Sequence, residues 1–238
     1  MMEKKYQFIL LFFLFIILAA LSFLASPFFD IREFAIHSRS EIDKASLRPY
    51  LNDYYGENIL LTTQSELEKN LLKHRLVSSF TIEKSFPSKI HIIIEERKPA
   101  AWIANNGKKL VFSADGIILE QLKLDSNLKI PQLEGFEYLF SEKKMVFPEA
   151  MDNLLTVLNK LDQKFIGQIK KINYQNNILK LFMHNNLAVN MGSAENLEEK
   201  FTLLSSIITK LKDENKQGDY INLKVLKHPV VKLKENNQ

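Results

Sequence analysis

The residues whose types could do chemistry are two carboxylate pairs, Glu95-Glu96 and Glu198-Glu199, five histidines, and the serine pairs Ser78-Ser79 and Ser205-Ser206. Two carboxylates facing one substrate can act as general acid and general base. Adjacent strand residues, however, point to opposite faces, and neighbours on a helix diverge by about 100°. Neither pair therefore converges on a common substrate, and both read as solvated faces. None of His37, His74, His91, His184 and His228 has a second histidine or a carboxylate at metal-ligand spacing on a common helix face. His91 alternates with isoleucines and reads as solvent-facing, while His184 and His228 lie beside turns. The serines lack a G-x-S-x-G context, and the seven glycines form no phosphate-cradling loop. The absence of cysteine removes thiolate catalysis, disulfides and cysteine-ligated metals. The chain reads as a non-enzyme with no metal, no cofactor and no small-molecule substrate.

The densest charge lies in SFPSKIHIIIEERKPAAWI, Ser85 to Ile103, where Glu95 to Lys98 interrupt two apolar stretches. Ile90, Ile92 and Ile94 alternate as a strand does. Pro99 discourages its continuation, and Ala101-Trp102-Ile103 starts a new strand. The cluster is read as a seam between two domains, marked by Glu96, Arg97, Pro99 and Trp102.

The elements on either side of that seam differ in texture. Phe8 to Ser26 holds 19 residues without a charge, roughly 28 Å as a helix and close to the thickness of a bilayer core. Lys4 and Lys5 precede it, which leaves the N-terminus cytoplasmic and the bulk exported. The run exceeds the apolar region of a signal peptide and is read as a retained anchor; cleavage near Ala20-Leu21-Ser22 is the alternative. Next comes a short strand over Phe29, Ile31, Phe34 and Ile36, ending at a turn from His37 to Ser40. A helix from Glu41 to Tyr54 is stopped by Gly56, and a second helix opens with the capping-box pair Thr63 and Glu66. Strands through Phe80-Ile82 and Ile90-Ile94 flank a turn at Pro87-Ser88. The order is β-α-α-β-β.

Beyond Pro99 the sequence predicts a hairpin around Asn105-Asn106-Gly107, a strand at Ile117 to Leu119, and a helix beginning at Pro148. Short strands at Ile178 to Met183 and Leu187 to Met191 follow. Ser193 caps an amphipathic helix carrying Leu197, Phe201, Leu204, Ile208 and Leu211, and a last strand region runs from Tyr220 to about Val231. The expected class is α+β: an N-terminal transmembrane helix, a β-α-α-β-β domain, and a mostly antiparallel β-domain with helices packed on it. The boundaries are 1–7 for the tail, 8–27 for the span, 28–98 and 99–231 for the two domains, and 232–238 for a flexible end. Hydrophobic residues make up 46% and charged residues 25%, the proportions of a globular chain. The net charge of +4 comes without an arginine-rich, aromatic-interleaved face, so nucleic acid is a poor partner. What such a chain offers is exposed strand edges, whose unpaired N–H and C=O groups accept a partner strand.

These motifs, in this order, resemble the FtsQ/DivIB family of bacterial cell-division proteins, and the β-α-α-β-β unit resembles a POTRA domain. The resemblance rests on Phe29-Asp30-Ile31 with Phe34-Ala35-Ile36, on Gly56-Glu57-Asn58-Ile59, and on Ile82-Glu83-Lys84-Ser85-Phe86-Pro87 with Ile90 and Ile92. It continues through Glu96-Arg97-Lys98-Pro99-Ala100-Ala101-Trp102, Ile130-Pro131-Gln132-Leu133-Glu134-Gly135, Met191-Gly192 and Ile221-Asn222-Leu223-Lys224-Val225. It implies a single-pass inner-membrane protein at the division septum, with its bulk in the periplasm. Its role would be a scaffold that links early and late division proteins, binds FtsB-like and FtsL-like partners by strand addition, contacts other divisome components, and controls septal wall synthesis. Carried over by position, the binding residues are Tyr220, Leu223, Lys224, Val225, Pro229, Val230, Val231 and Lys232. Lys224 and Val225 stand where the family pattern has Arg and Tyr, so a bidentate salt bridge is lost there. The plainer reading of this end is an edge strand guarded by lysines. Rival readings of the whole are a POTRA-bearing envelope chaperone and an anchored envelope hydrolase.

Overall fold

The computed structural model describes residues 2–38, 42–141 and 144–234. These fall into two compact units that divide between Arg97 and Lys98. The first begins with α1 (Met2–Leu24), the single helix among the described residues long and apolar enough to cross a membrane. Phe8, Leu10, Phe15 and Leu18 are all exposed on it. A helix that is apolar all round and uncovered by protein needs lipid as its solvent.

After a 3-10 turn at Pro27–Phe29 come β1 (Glu33–Ser38), α2 (Lys44–Leu47), α3 (Gln64–Leu71), β2 (Val77–Ser85) and β3 (Lys89–Glu96). The sheet order is β1-β3-β2, with β1 parallel and β2 antiparallel to β3. Ile90, Ile92 and Ile94 are buried with Leu47, Leu51, Leu67, Leu71 and Phe80. The helices therefore cover one face of the sheet, and Lys89, His91, Ile93 and Glu95 lie on the other.

Three expectations need correction here. Phe29 belongs to the 3-10 turn and Ile31 precedes β1, so of the expected strand residues only Phe34 and Ile36 lie in it. His37 and Ser38 lie inside β1 instead of in a turn, while Arg39 and Ser40 lie outside the described residues. The helix expected up to Tyr54 is only α2, followed by 3-10 turns at Arg48–Tyr50 and Asn52–Tyr54. Pro49 has no N–H to donate and its ring crowds the preceding turn, so the α-helix stops while Leu47 and Leu51 still reach the core. The capping box stands: the Thr63 N–H donates to Glu66 Oε2 at 2.7 Å.

The second unit contains β4 (Pro99–Asn105), β5 (Lys108–Ser113), β6 (Ile118–Lys123), β7 (Gln132–Glu134), β8 (Leu139–Ser141) and β9 (Lys144–Val146). They are followed by α4 (Glu149–Lys160), α5 (Gln163–Ile166), β10 (Ile169–Gln175), β11 (Ile178–Met183), β12 (Ala188–Gly192), α6 (Leu197–Asp213), β13 (Gly218–Asn222) and β14 (Val230–Leu233). Nine strands form one sheet in the order β14-β13-β12-β11-β10-β7-β4-β5-β6, and β8 pairs with β9 separately. Asn106 and Gly107 both have positive φ, 46° and 73°, as the tight β4-β5 turn requires. Most pairings are antiparallel, but β7 runs parallel to both β10 and β4, and β12 parallel to β13. The last pair needs a crossover, which α6 provides. Met151, Leu154 and Leu158 of α4 and Phe201 and Leu204 of α6 share one core with Leu133, Leu181, Val189 and Ile221.

β7 is short but held from both sides. Ile172 lies opposite Leu133, and the Trp102 N–H donates to the Pro131 carbonyl at 3.0 Å. Lys171 pairs with Glu134 at 2.9 Å. Two helix starts differ from expectation. Pro148 is the cap before α4, not its first residue. α6 starts at Leu197, after Asn196 at φ 51°, so Ser193 caps nothing. Instead, the Ser193 carbonyl accepts a bond from Lys200 Nζ at 2.8 Å.

One titrating group is built into the first unit. His74 Nδ1 accepts from the Leu76 N–H at 3.3 Å, which assigns the proton to Nε2, 3.1 Å from Ser46 Oγ. Partial burial, then the charges of Arg75 and Arg97, push its pKa below the ordinary imidazole value. The unfolded chain consequently binds a proton more readily than the folded one. Stability contributed by neutral His74 is complete above the ordinary imidazole pKa, about 6.5, and is lost as pH falls from there toward the lower folded value. The first unit should unfold at a lower denaturant concentration at about pH 5.5 than at about pH 7.5, with the difference reduced in His74→Gln. An unchanged pH difference in that variant would assign the effect elsewhere.

Candidate partner-binding edge

The region expected to be one strand from Tyr220 onward is two strands joined by a turn. β13 runs beside β12 with Val189 opposite Ile221, and β14 returns antiparallel with Ile221 opposite Val231. The turn closes with the His228 N–H donating to the Val225 carbonyl at 3.1 Å. β14 is the outermost strand, paired on one side only, and all four of its residues are exposed. Lys232 and Leu233, assigned by sequence to a flexible end, belong to this strand.

The expected site residues therefore separate. Val230, Val231 and Lys232 line the edge, Pro229 precedes it, and Tyr220 sits opposite Lys232. Lys224 and Val225 are exposed in the turn. Leu223 is fully buried, and its N–H donates to the Asn190 carbonyl at 2.8 Å, so it anchors the turn and presents no side chain to a partner. Sequence reasoning missed Asp219, which meets Lys232 at 3.2 Å across the two strands. No local pattern announces that pair, because it depends on cross-strand register.

What holds the turn in place is a stack of close contacts. The Asn190 side chain accepts from the Gly192 N–H at 3.0 Å, and Asn222 Oδ1 accepts from the Lys224 N–H at 3.0 Å. Gly192 has φ 71°, and a Cβ there would sit 2.7 Å from Lys224 Cγ and 3.1 Å from Lys224 Cα. Next to it, buried Lys200 pins Ser193, and burial lowers the pKa of its ammonium. The α6 crossover thus fixes the loop under the turn.

The seam residues are placed within their own units. Glu96 ends β3 opposite Val77. Arg97 donates its N–H to the Leu76 carbonyl at 2.8 Å and Nη1 to the Arg75 carbonyl at 3.0 Å. Pro99 opens β4 opposite Ser113, and Lys109 Nζ lies 4.4 Å from the centre of the Trp102 ring.

One carboxylate of each acidic pair has a partner of its own, in keeping with their reading as solvated faces: Glu95 accepts from Ser79 Oγ at 3.1 Å, and Glu198 meets Lys160 at 2.6 Å. Between α5 and α6 lies an open groove whose lining includes Asp162, Ser205, Ser206 and Thr209. Its hydroxyls at Ser206 and Thr209 donate to helix carbonyls, and Asp162 caps α5. Among the described residues no group of three or more His, Asp or Glu is placed to hold a metal.

Residues 29–97 match the POTRA domain of FtsQ type, and residues 100–224 match the C-terminal domain of the cell-division proteins FtsQ and DivIB. The chain belongs to the FtsQ/DivIB family. Similar relatives include the cell division protein DivIB of Clostridium botulinum strain Hall, 21% identical over 96% of this chain and 91% of that one. DivIB of Solibacillus silvestris is 27% identical over 79% and 64%, and the cell division protein FtsQ of Geobacter sp. strain M21 is 26% identical over 82% and 71%. The solved major extracytoplasmic domain of DivIB from Geobacillus stearothermophilus overlaps 50% of this chain and 97% of its own, at 16% identity and a TM-score of 0.37. The FtsQ/DivIB match ends at Lys224, so β14 lies beyond it.

Gly192→Ala should destabilise the second unit by about 1–3 kcal/mol, through left-handed backbone strain plus the clash with Lys224. Gly107→Ala carries the same backbone strain with nothing within 4 Å of the added methyl. Equal losses in a denaturant titration of the two variants would show that the close approach does not constrain the turn.

Proposed function

We propose that the chain is a non-catalytic scaffold of the division machinery, anchored by α1 with its N-terminus in the cytoplasm and its bulk in the periplasm at the septum. FtsB-like and FtsL-like proteins add a strand to β14, and this docking controls septal wall synthesis. The observation that carries the reading is the state of β14: a sheet's outermost strand with every residue exposed. Its outer N–H and C=O groups supply pairing of any sequence, and Val230, Val231 and Leu233 supply apolar contact. The lysine-guard reading is weakened because Lys232 is paired with Asp219, which spends part of the charge that would repel an incoming strand. Lys224, in place of the family arginine, acts from the adjacent turn as a point charge and not as a fork.

Two measurements test this reading. Depleting the protein should give filamentous cells, and a tagged copy should lie at mid-cell. The full chain should co-purify with its FtsB-like and FtsL-like partners, and a chain ending at Pro229 should lose them by roughly tenfold or more. That truncation leaves the buried Ile221 and Leu223 in place. Undiminished co-purification of a folded truncation would refute β14 as the docking strand.

A further inference from the structure

The uncovered face of the first unit's sheet carries a histidine pair that local sequence spacing does not reveal. β1 and β3 run parallel with Ala35 opposite His91, so His37 is the diagonal neighbour of His91 on the same face. The imidazoles meet edge to edge, nearly coplanar at 11° with centroids 5.3 Å apart, and His37 Nε2 lies 3.0 Å from His91 Nδ1. Such a bond needs one nitrogen protonated and the other with a free lone pair. His37 is exposed and His91 half-buried, so water competes for the bond and leaves it a small net contribution.

We infer that His37 and His91 form a two-imidazole site for a divalent transition-metal ion, with water completing the coordination. Two nitrogens bound side by side to one ion at about 2.0–2.1 Å are about 2.9–3.4 Å apart, a range that the 3.0 Å hydrogen-bonded separation of this pair falls in, so the ion replaces the bond with little movement of the strands. Turning the two rings about their side-chain bonds aims both lone pairs at one point, and the exposed position of His37 leaves room for that movement. The proton shared between the rings moves to the outer nitrogen of the ring that held it. Two neutral imidazoles therefore take the ion with no net release of protons, whereas protonated ones must first lose theirs.

The charge on that face also suits a cation. Its strand residues include the carboxylates of Glu33, Glu83 and Glu95 and one ammonium, that of Lys89, which is itself paired with Glu33 at 2.8 Å. Glu83 is the cross-strand partner of His91. The ion ties the outer strand β1 to the central strand β3 on the face the helices leave open.

The test uses the full chain in detergent micelles, titrated with Zn²⁺ by calorimetry and with Cu²⁺ by electron paramagnetic resonance. The expected result is one equivalent bound at micromolar concentration, with hyperfine coupling to two imidazole nitrogens. Binding should weaken roughly tenfold or more in His37→Ala and in His91→Ala, remain in His184→Ala, and be lost on acidification. A Cu²⁺ spectrum of the unsubstituted chain without two-nitrogen coupling overturns the site whatever the variants do. So does equal affinity in the unsubstituted chain, His37→Ala and His91→Ala.

Discussion

Backbone pairing on both sides of β7 is the constraint on which the second unit depends. On one side lies the meander β4-β5-β6, and on the other the run from β10 to β14. Each would be a separate sheet with an open edge without Gln132–Glu134 between them. Three residues give little area, so side chains reinforce the joint: Leu133 is buried in the common core, and Glu134 meets both Lys171 and Asn173. Gly135 then turns the chain away at φ 81°, where a Cβ would lie 2.9 Å from the Tyr174 carbonyl oxygen. A joint so narrow makes the register of the whole sheet, and hence the position of its outer edges, follow from a few local contacts.

From that joint the order of strands runs outward to β14 through two kinds of connection. Short turns join β10, β11 and β12, and only the α6 crossover lets β13 lie parallel to β12. The crossover needs a loop that passes close to the following turn, and Gly192 and Lys200 serve that need. The open edge and the tight packing beneath it are thus one arrangement. An edge available to a partner has to be rigid, because a fraying strand would lose in ordering entropy much of what the added pairing contributes.

Much of this was legible in the chain. Alternating isoleucines, the capping box, Asn106-Gly107 and the uncharged run from Phe8 to Ser26 announced the fold class because each is a local signal. The misreadings arose where a single residue overrides a period, as Pro49 does inside an otherwise helical pattern, or where a helix start depends on an unusual backbone, as at Asn196. Non-local features stayed hidden. β7 is too short to show alternation. The Lys232–Asp219 and His37–His91 pairs exist only after register is set, and Leu223 looked like a surface residue until the crossover buried it.

The position of β14 in the chain has a consequence in time. Synthesis proceeds from α1 toward the C-terminus, so β14 is the last strand of its sheet to emerge, after the crossover and β13 that support it. Until then the growing sheet ends in β13, whose outer side has no partner strand. A partner that pairs with the final edge can engage only a chain whose sheet is already complete. If partners dock on β14 as proposed, chain order would thereby withhold assembly from unfinished molecules.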